Sequence, residues 1–216
     1  KVYEYFLETA IQMPKSAGIM VNTVETLEQR ALKAILHGES TSGDPAAPIY
    51  CIGPLIVASE GSGKDKHECL NWLDKQPSRR VLFLSFGSLG KFSTEQLKEM
   101  ALGLERSRVR FLWAVRNPPQ EDDPLRKLEA AGVGEPSLEY LLPEGFIDRT
   151  KDQGLVAKDW VPQVPVLSHD SVGGFVTNCG WNSAMECLRE GVPMLAWPSY
   201  AVQSINKLVS PNEFEN

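Results

Sequence analysis

Apolar positions along the chain follow two rhythms, and the change between them divides it. Near the start, apolar side chains recur at 2, 3, 6, 7, 10 and 11, one stripe of a helix over residues 1–13 that Pro14 ends. Ala17 to Val21 is a short apolar run of strand type. Asn22-Thr23 then supplies cap residues for a second helix, Val24 to about Leu36, stopped near Gly38. A Ser/Gly/Pro/Asp-rich stretch, 38–48, leads to a brief strand at Ile49 to Ile52. Residues 59–66, Ser-Glu-Gly-Ser-Gly-Lys-Asp-Lys, have linker composition and mark a domain boundary.

From Arg80 onward, strands and helices alternate. Val81 to Phe86 is an apolar run broken only by Ser85, as expected of a strand buried on both faces. Ser93-Thr94-Glu95-Gln96 has the spacing of a capping box and opens a helix to about Arg106, with a strand at Arg110 to Val115. Residues 117–142 are rich in Pro, Gly and acids and read as too polar for core. Leu155 to Lys158, Gly173 to Thr177 and Met194 to Ala196 are further short strands, and a helix from Ala184 to Glu190 stops at Gly191. This alternation predicts βαβ units and a Rossmann-like parallel sheet with flanking helices.

Composition narrows the class. With 216 residues, 42% hydrophobic and 23% charged, the chain is globular, one domain or one plus part of another. Twenty-two basic against 28 acidic residues give a net charge of −6, which argues against nucleic acid as the main partner but leaves room for one phosphorylated ligand. Cys51, Cys69, Cys179 and Cys187 form no C-x-x-C pair, and His37, His67 and His169 are scattered, so no metal site is expected. Reduced, partly buried thiols fit a cytoplasmic protein. No apolar run is long enough for a transmembrane segment, and the start at Lys1 shows no signal-peptide pattern and reads as an internal cut in a longer protein.

Three loops at carboxyl ends of strands carry candidate chemistry, because ligands of open parallel sheets bind there. Phe86-Gly87-Ser88-Leu89-Gly90 lets backbone N–H groups face a phosphate, or is simply a flexible turn. Thr177-Asn178-Cys179-Gly180-Trp181-Asn182-Ser183 leads into a helix whose N-terminus suits a diphosphate. Ser183 and Glu186 also have capping-box spacing, which would occupy the same donors. Asp159-Trp160-Val161-Pro162-Gln163 offers a ring and an amide to a nucleobase, or buries its Trp in the core.

The order of these pieces resembles a known signature. Across the 44 residues from Trp160 to Gln203 run W-V-P-Q, L-S-H, F-V-T-N-C-G-W-N-S, E, G-V-P, P and Q. This is similar to the plant secondary product glycosyltransferase box of family 1 UDP-sugar-dependent enzymes. Leu82 to Leu89, Ser93 to Trp113, and Gly18 to Glu28 with Ile49 to Pro54 resemble further segments of that family.

The resemblance implies the C-terminal half of a two-domain GT-B fold. Residues 1–58 would end the N-terminal acceptor domain and carry the connection, 59–66 would be linker, and 67–216 the UDP-sugar-binding domain. Trp160 would stack on uracil beside Val161, and Gln163 would hold base and ribose. Glu186 would accept from the ribose hydroxyls, and Ser88, Asn178, Gly180, Asn182 and Ser183 would surround the diphosphate. Trp181 and Gln203 would line the sugar, Gln203 at the position associated with glucose. The implied reaction is inverting transfer of a hexose to a phenolic or flavonoid hydroxyl, with no cofactor beyond the UDP-sugar donor. The catalytic His belongs to the early N-terminal domain, so no catalytic residue is expected in this chain. Two residues depart from the pattern: Asn178 stands where the family has His, and Val202 where it has Asp or Glu. A nucleotide- or carbohydrate-binding module without turnover, or an inert remnant, is the alternative reading.

Overall fold

A computed structural model describes residues 2–38, 47–56, 67–88, 90–118, 137–158, 160–199 and 202–209. The linker read at 59–66, most of 117–142, and Leu89 and Asp159 of two candidate loops lie outside these residues. The chain divides into two compact units, Lys1–Val57 and Ala58–Asn216.

The first unit holds helix α1 (Val2–Gln12), a 3-10 turn at Met13–Lys15, strand β1 (Ile19–Val21), helix α2 (Gln29–Leu36) and strand β2 (Ile49–Cys51). Strands β1 and β2 pair in parallel, Ile19 opposite Ile49 and Val21 opposite Cys51. Helix α2 begins five residues later than its apolar pattern predicts. Asn22 does not cap it because its side chain is engaged with the chain beyond β2, and Thr23 Oγ1 is buried without a hydrogen-bond partner. Asn22 Oδ1 accepts the Leu55 N–H at 2.9 Å, and the Thr23 carbonyl accepts the Gly53 N–H at 3.0 Å.

The second unit is built on strands β3 (Val81–Ser85), β4 (Arg110–Val115), β5 (Gly154–Lys158), β6 (Val172–Thr177) and β7 (Met194–Ala196). They form one sheet in the order β5-β4-β3-β6-β7, every pair parallel. Around it lie α3 (Glu68–Leu73), α4 (Thr94–Ser107), α5 (Leu138–Leu141), α6 (Phe146–Thr150), α7 (Gln163–Leu167), α8 (Trp181–Glu190) and α9 (Gln203–Val209).

Alternation along β3 and β4 explains their unbroken apolar runs. Leu84, Phe111, Trp113 and Val115 join one core with Leu97 and Ala101 of α4, Leu141 of α5 and Phe146 of α6. Val81, Phe83, Leu112 and Ala114 face the other way, against Cys69 and Leu73 of α3, Val166 of α7 and Cys187 of α8. Each face of the sheet therefore has its own helical cover. Across the β3–β6 pair, Phe83 and Phe175 stack with centroids 5.0 Å apart.

Helix α4 carries the predicted capping box in full. Ser93 Oγ accepts the Gln96 N–H at 3.3 Å and Gln96 Oε1 accepts the Ser93 N–H at 3.0 Å. The expectation that 117–142 is too polar for core fails at its end, where Leu141 and Leu142 are fully buried. Average polarity hid a Leu-x-x-Leu-Leu pattern that a single helical turn aims at α4.

From β3 the chain steps outward through β4 to β5, then returns to the other side of β3 as β6 and continues to β7. The reversal falls between β3 and β6. At such a switch point the two following loops diverge and leave a crevice beyond the strands.

Candidate functional site

Ser85 of β3 lies opposite Thr177 of β6, so both strands end in register and their loops leave the sheet side by side. The β3 loop turns at Gly87, whose φ of +69° is the left-handed region that disfavours a side chain. Gly90 is required for another reason: a Cβ there would fall 1.9 Å from the Phe86 carbonyl oxygen. Ser88 between them is exposed.

The β6 loop meets the β3 loop at one residue. The Asn178 carboxamide is only 3% exposed, and its atoms lie 3.5 and 3.6 Å from where a Gly87 Cβ would stand. Asn178 Oδ1 accepts the Gly180 N–H at 3.3 Å, closing a tight turn through Cys179, which takes a φ of +61°. Asn206 of α9 braces that turn, donating from Nδ2 to the Cys179 carbonyl at 2.9 Å.

Helix α8 starts at Trp181, three residues before the predicted Ala184, with Gly180 in the N-cap position and no side-chain cap. Ser183 is thus inside the first turn, and the capping box read at Ser183 and Glu186 does not form. Their side chains point to a different partner. Gln163 Nε2, at the start of α7, donates to Ser183 Oγ at 3.0 Å and to Glu186 Oε2 at 2.7 Å. The first turn of α8 contains no acidic residue, so its backbone N–H groups and dipole present positive potential at the crevice.

Before α7, Trp160 is 63% exposed, which removes the reading of a core Trp at a strand end. Val161 next to it is only 4% exposed and packs in the core with Val166 and Leu167. Trp181 is half-buried and Asn182 exposed on the first turn of α8. At the β7 end, Gln203 is turned inward, 4% exposed, with Oε1 accepting the Ser199 N–H at 2.8 Å. Val202 is exposed, and its carbonyl accepts the Ile205 and Asn206 N–H groups at the head of α9.

Two residues at this end of the sheet were missed by sequence reasoning. Asn206 stands one helical turn after Gln203, a spacing that puts both on one face of α9. His67 meets Trp160 ring to ring, with centroids 6.0 Å apart and planes at 77°. The remaining described histidine of this unit, His169, lies at the amino end of β6, where Nε2 faces Asp74 Oδ1 at 3.2 Å and Nδ1 faces Ser171 Oγ at 2.9 Å. None of the four cysteines is in a disulfide, and burial pushes the Cys69 and Cys187 thiols up to about 11 and about 12. Among the described residues no group of three His, Cys, Asp or Glu is placed to hold a metal ion, and no helix is long and apolar enough to cross a membrane.

Comparison with known proteins gives this arrangement its context. The family model described as UDP-glucoronosyl and UDP-glucosyl transferase matches residues 55–210. An anthocyanidin 5,3-O-glucosyltransferase from a Rosa hybrid cultivar is 54% identical over 213 residues, 99% of this chain and 43% of the relative. A phloretin 2'-O-glucosyltransferase from Malus domestica is 51% identical over 209 residues, 94% of this chain and 43% of the relative. The solved structure of Phytolacca americana UGT2 complexed with UDP-2fluoro-glucose and pterostilbene superposes with a TM-score of 0.76 at 44% identity, over 95% of this chain and 41% of that one. The chain thus spans less than half the length of these relatives. Its parallel sheet is the Rossmann-like half of a GT-B architecture. With a family match over most of its length and relatives above 50% identity, the chain belongs to the UDP-glucoronosyl and UDP-glucosyl transferase family, as a plant family 1 member.

Proposed function

We propose that this chain is the donor-binding part of an inverting glycosyltransferase that moves glucose from UDP-glucose to a hydroxyl of a phenolic or flavonoid-type acceptor. Residues 1–58 belong to the acceptor domain and its connection, 59–66 to a linker and 67–216 to the UDP-sugar-binding domain. The observation that carries the reading is the convergence at the β3–β6 switch point of a left-handed glycine turn, a side-chain-uncapped helix start and the Gln163–Ser183–Glu186 network. The glucosyltransferase names of the relatives supply the sugar and the acceptor class.

In this reading uracil stacks on Trp160, the backbone of Val161 and the amide of Gln163 face base and ribose, and Glu186 accepts from the ribose hydroxyls. Ser88, Asn178, Gly180, Asn182 and Ser183 surround the diphosphate. Trp181 and Gln203 stand at the sugar. As the anomeric carbon is attacked, negative charge grows on the departing UDP. Fixed N–H donors at the start of α8 stabilise that charge without reorganising, which is the electrostatic part of catalysis. In this reading the general base that deprotonates the acceptor is the His that the family resemblance assigns to the early N-terminal domain. Four cysteines outside any disulfide fit a reducing compartment, and a cytoplasmic location is part of the proposal.

Calorimetric titration of the 216-residue chain with UDP and UDP-glucose tests the reading. Micromolar UDP binding without sugar transfer is expected. Absence of UDP binding overturns it and leaves an inert or differently employed domain.

A further inference from the structure

Trp160 follows β5 at the carboxyl end of the sheet, with most of its surface in solvent. An indole in that position samples several rotamers, and a ligand stacking on it must first hold it still. Among the described residues one aromatic ring meets it. His67 approaches in a T-shaped arrangement with centroids 6.0 Å apart, the geometry that the quadrupoles of two rings favour. His67 is itself fixed from below. Its Nδ1 accepts the Cys69 N–H at 3.3 Å, capping α3, and lies 3.0 Å from Cys69 Sγ. Cys69 is fully buried in the core with Leu73 and Phe83.

A continuous chain of contacts therefore runs from the core through α3 and the imidazole to an exposed indole. We propose that His67 is a positioning residue for Trp160, setting the plane on which the nucleobase of the donor stacks. It makes no contact with the donor itself. The inference rests on the nucleotide-binding reading above. It adds that base recognition depends on α3, an element outside the three loops of the site.

Two substitutions separate the role of the ring from that of the cap. His67→Asn retains a side-chain acceptor suited to an N-cap and removes the ring. It should leave the melting temperature unchanged, weaken UDP about two- to tenfold and free the indole. His67→Phe retains a ring and removes the acceptor. It should lower the melting temperature while keeping UDP affinity within about twofold. Motion of the indole is read directly by time-resolved fluorescence anisotropy, taken as the difference between each variant and its Trp160→Phe counterpart. Faster decay of the Trp160 component in His67→Asn supports the assignment. Unchanged anisotropy and unchanged UDP affinity in a folded His67→Asn protein overturn it. If the unsubstituted chain binds no UDP, the nucleotide reading falls, and the anisotropy comparison still decides whether His67 holds Trp160.

Discussion

Gln163 and Glu186 sit on different helices, and one amide nitrogen joins them: Gln163 Nε2 donates to Glu186 Oε2 at 2.7 Å and to Ser183 Oγ at 3.0 Å. The carboxylate proposed to accept from ribose is thus aimed before any ligand arrives. Gln163→Leu should let Glu186 swing and cost a charge-assisted hydrogen bond, about 1.5–3 kcal/mol. UDP affinity is expected to drop roughly ten- to a hundredfold by calorimetry. A folded Gln163→Leu protein that binds UDP normally would show that the network is only structural.

Because Trp160 is exposed, its removal should act on binding and spare the fold. Trp160→Ala is expected to weaken UDP by about 1–3 kcal/mol, the contribution of a stacked base. The melting temperature should stay where it was. An unchanged dissociation constant in the folded variant would place the base elsewhere.

Val202 presents methyl groups where the family resemblance expects a carboxylate, so UDP-glucose should bind this chain no tighter than UDP. Val202→Glu should strengthen UDP-glucose selectively. A carboxylate at the head of α9 should also stabilise the fold by about 0.3–1 kcal/mol, through the helix dipole. Asn178→His should instead strengthen both ligands together, through the diphosphate they share. Affinities of the three proteins for both ligands at one pH and salt concentration check the pattern. A tenfold preference of the unsubstituted chain for UDP-glucose would remove Val202 from the account.

The raised thiols make stability fall in alkali. Burial lifts Cys69 to about 11 and Cys187 to about 12, from the ordinary thiol value of 9.0. Above pH 9 the unfolded chain sheds these protons while the folded chain retains them, so rising pH favours unfolding. The stabilisation present below that pH is lost progressively toward pH 11–12, at up to about 1.4 kcal/mol per pH unit for each thiol. Denaturant melts from pH 8 to 10.5 should show this slope, and Cys187→Ala should flatten it. A slope unaltered by that substitution would assign the alkaline loss to other groups.

Periodicity made the sheet legible because β3, β4 and β6 are buried on both faces and leave apolar runs with clear ends. Local patterns misled where a tertiary partner outbid them. Asn22 looks like a cap, yet the Leu55 N–H takes its side-chain oxygen. Ser183 and Glu186 look like a capping box, yet Gln163, twenty residues away from Ser183, claims both side chains. At the site, motif order proposes the residues but not their orientation: nothing local shows that Val161 and Gln203 turn inward while Trp160 turns out. His67 left no signal, because a ring-to-ring contact across 93 positions has no period to detect.

The switch point also has a meaning in time. Ser85 and Thr177 are neighbours across the sheet yet 92 positions apart in the chain, whereas β3 and β4 are separated by a single helical excursion. Closing so long a loop costs entropy before its contacts can repay it, and pairings of this kind slow the search for the native state. The crevice therefore exists only once the most distant strand pairing is complete. A nucleotide that binds there recognises the finished sheet and stabilises it by mass action, holding the two ends of its longest connection together.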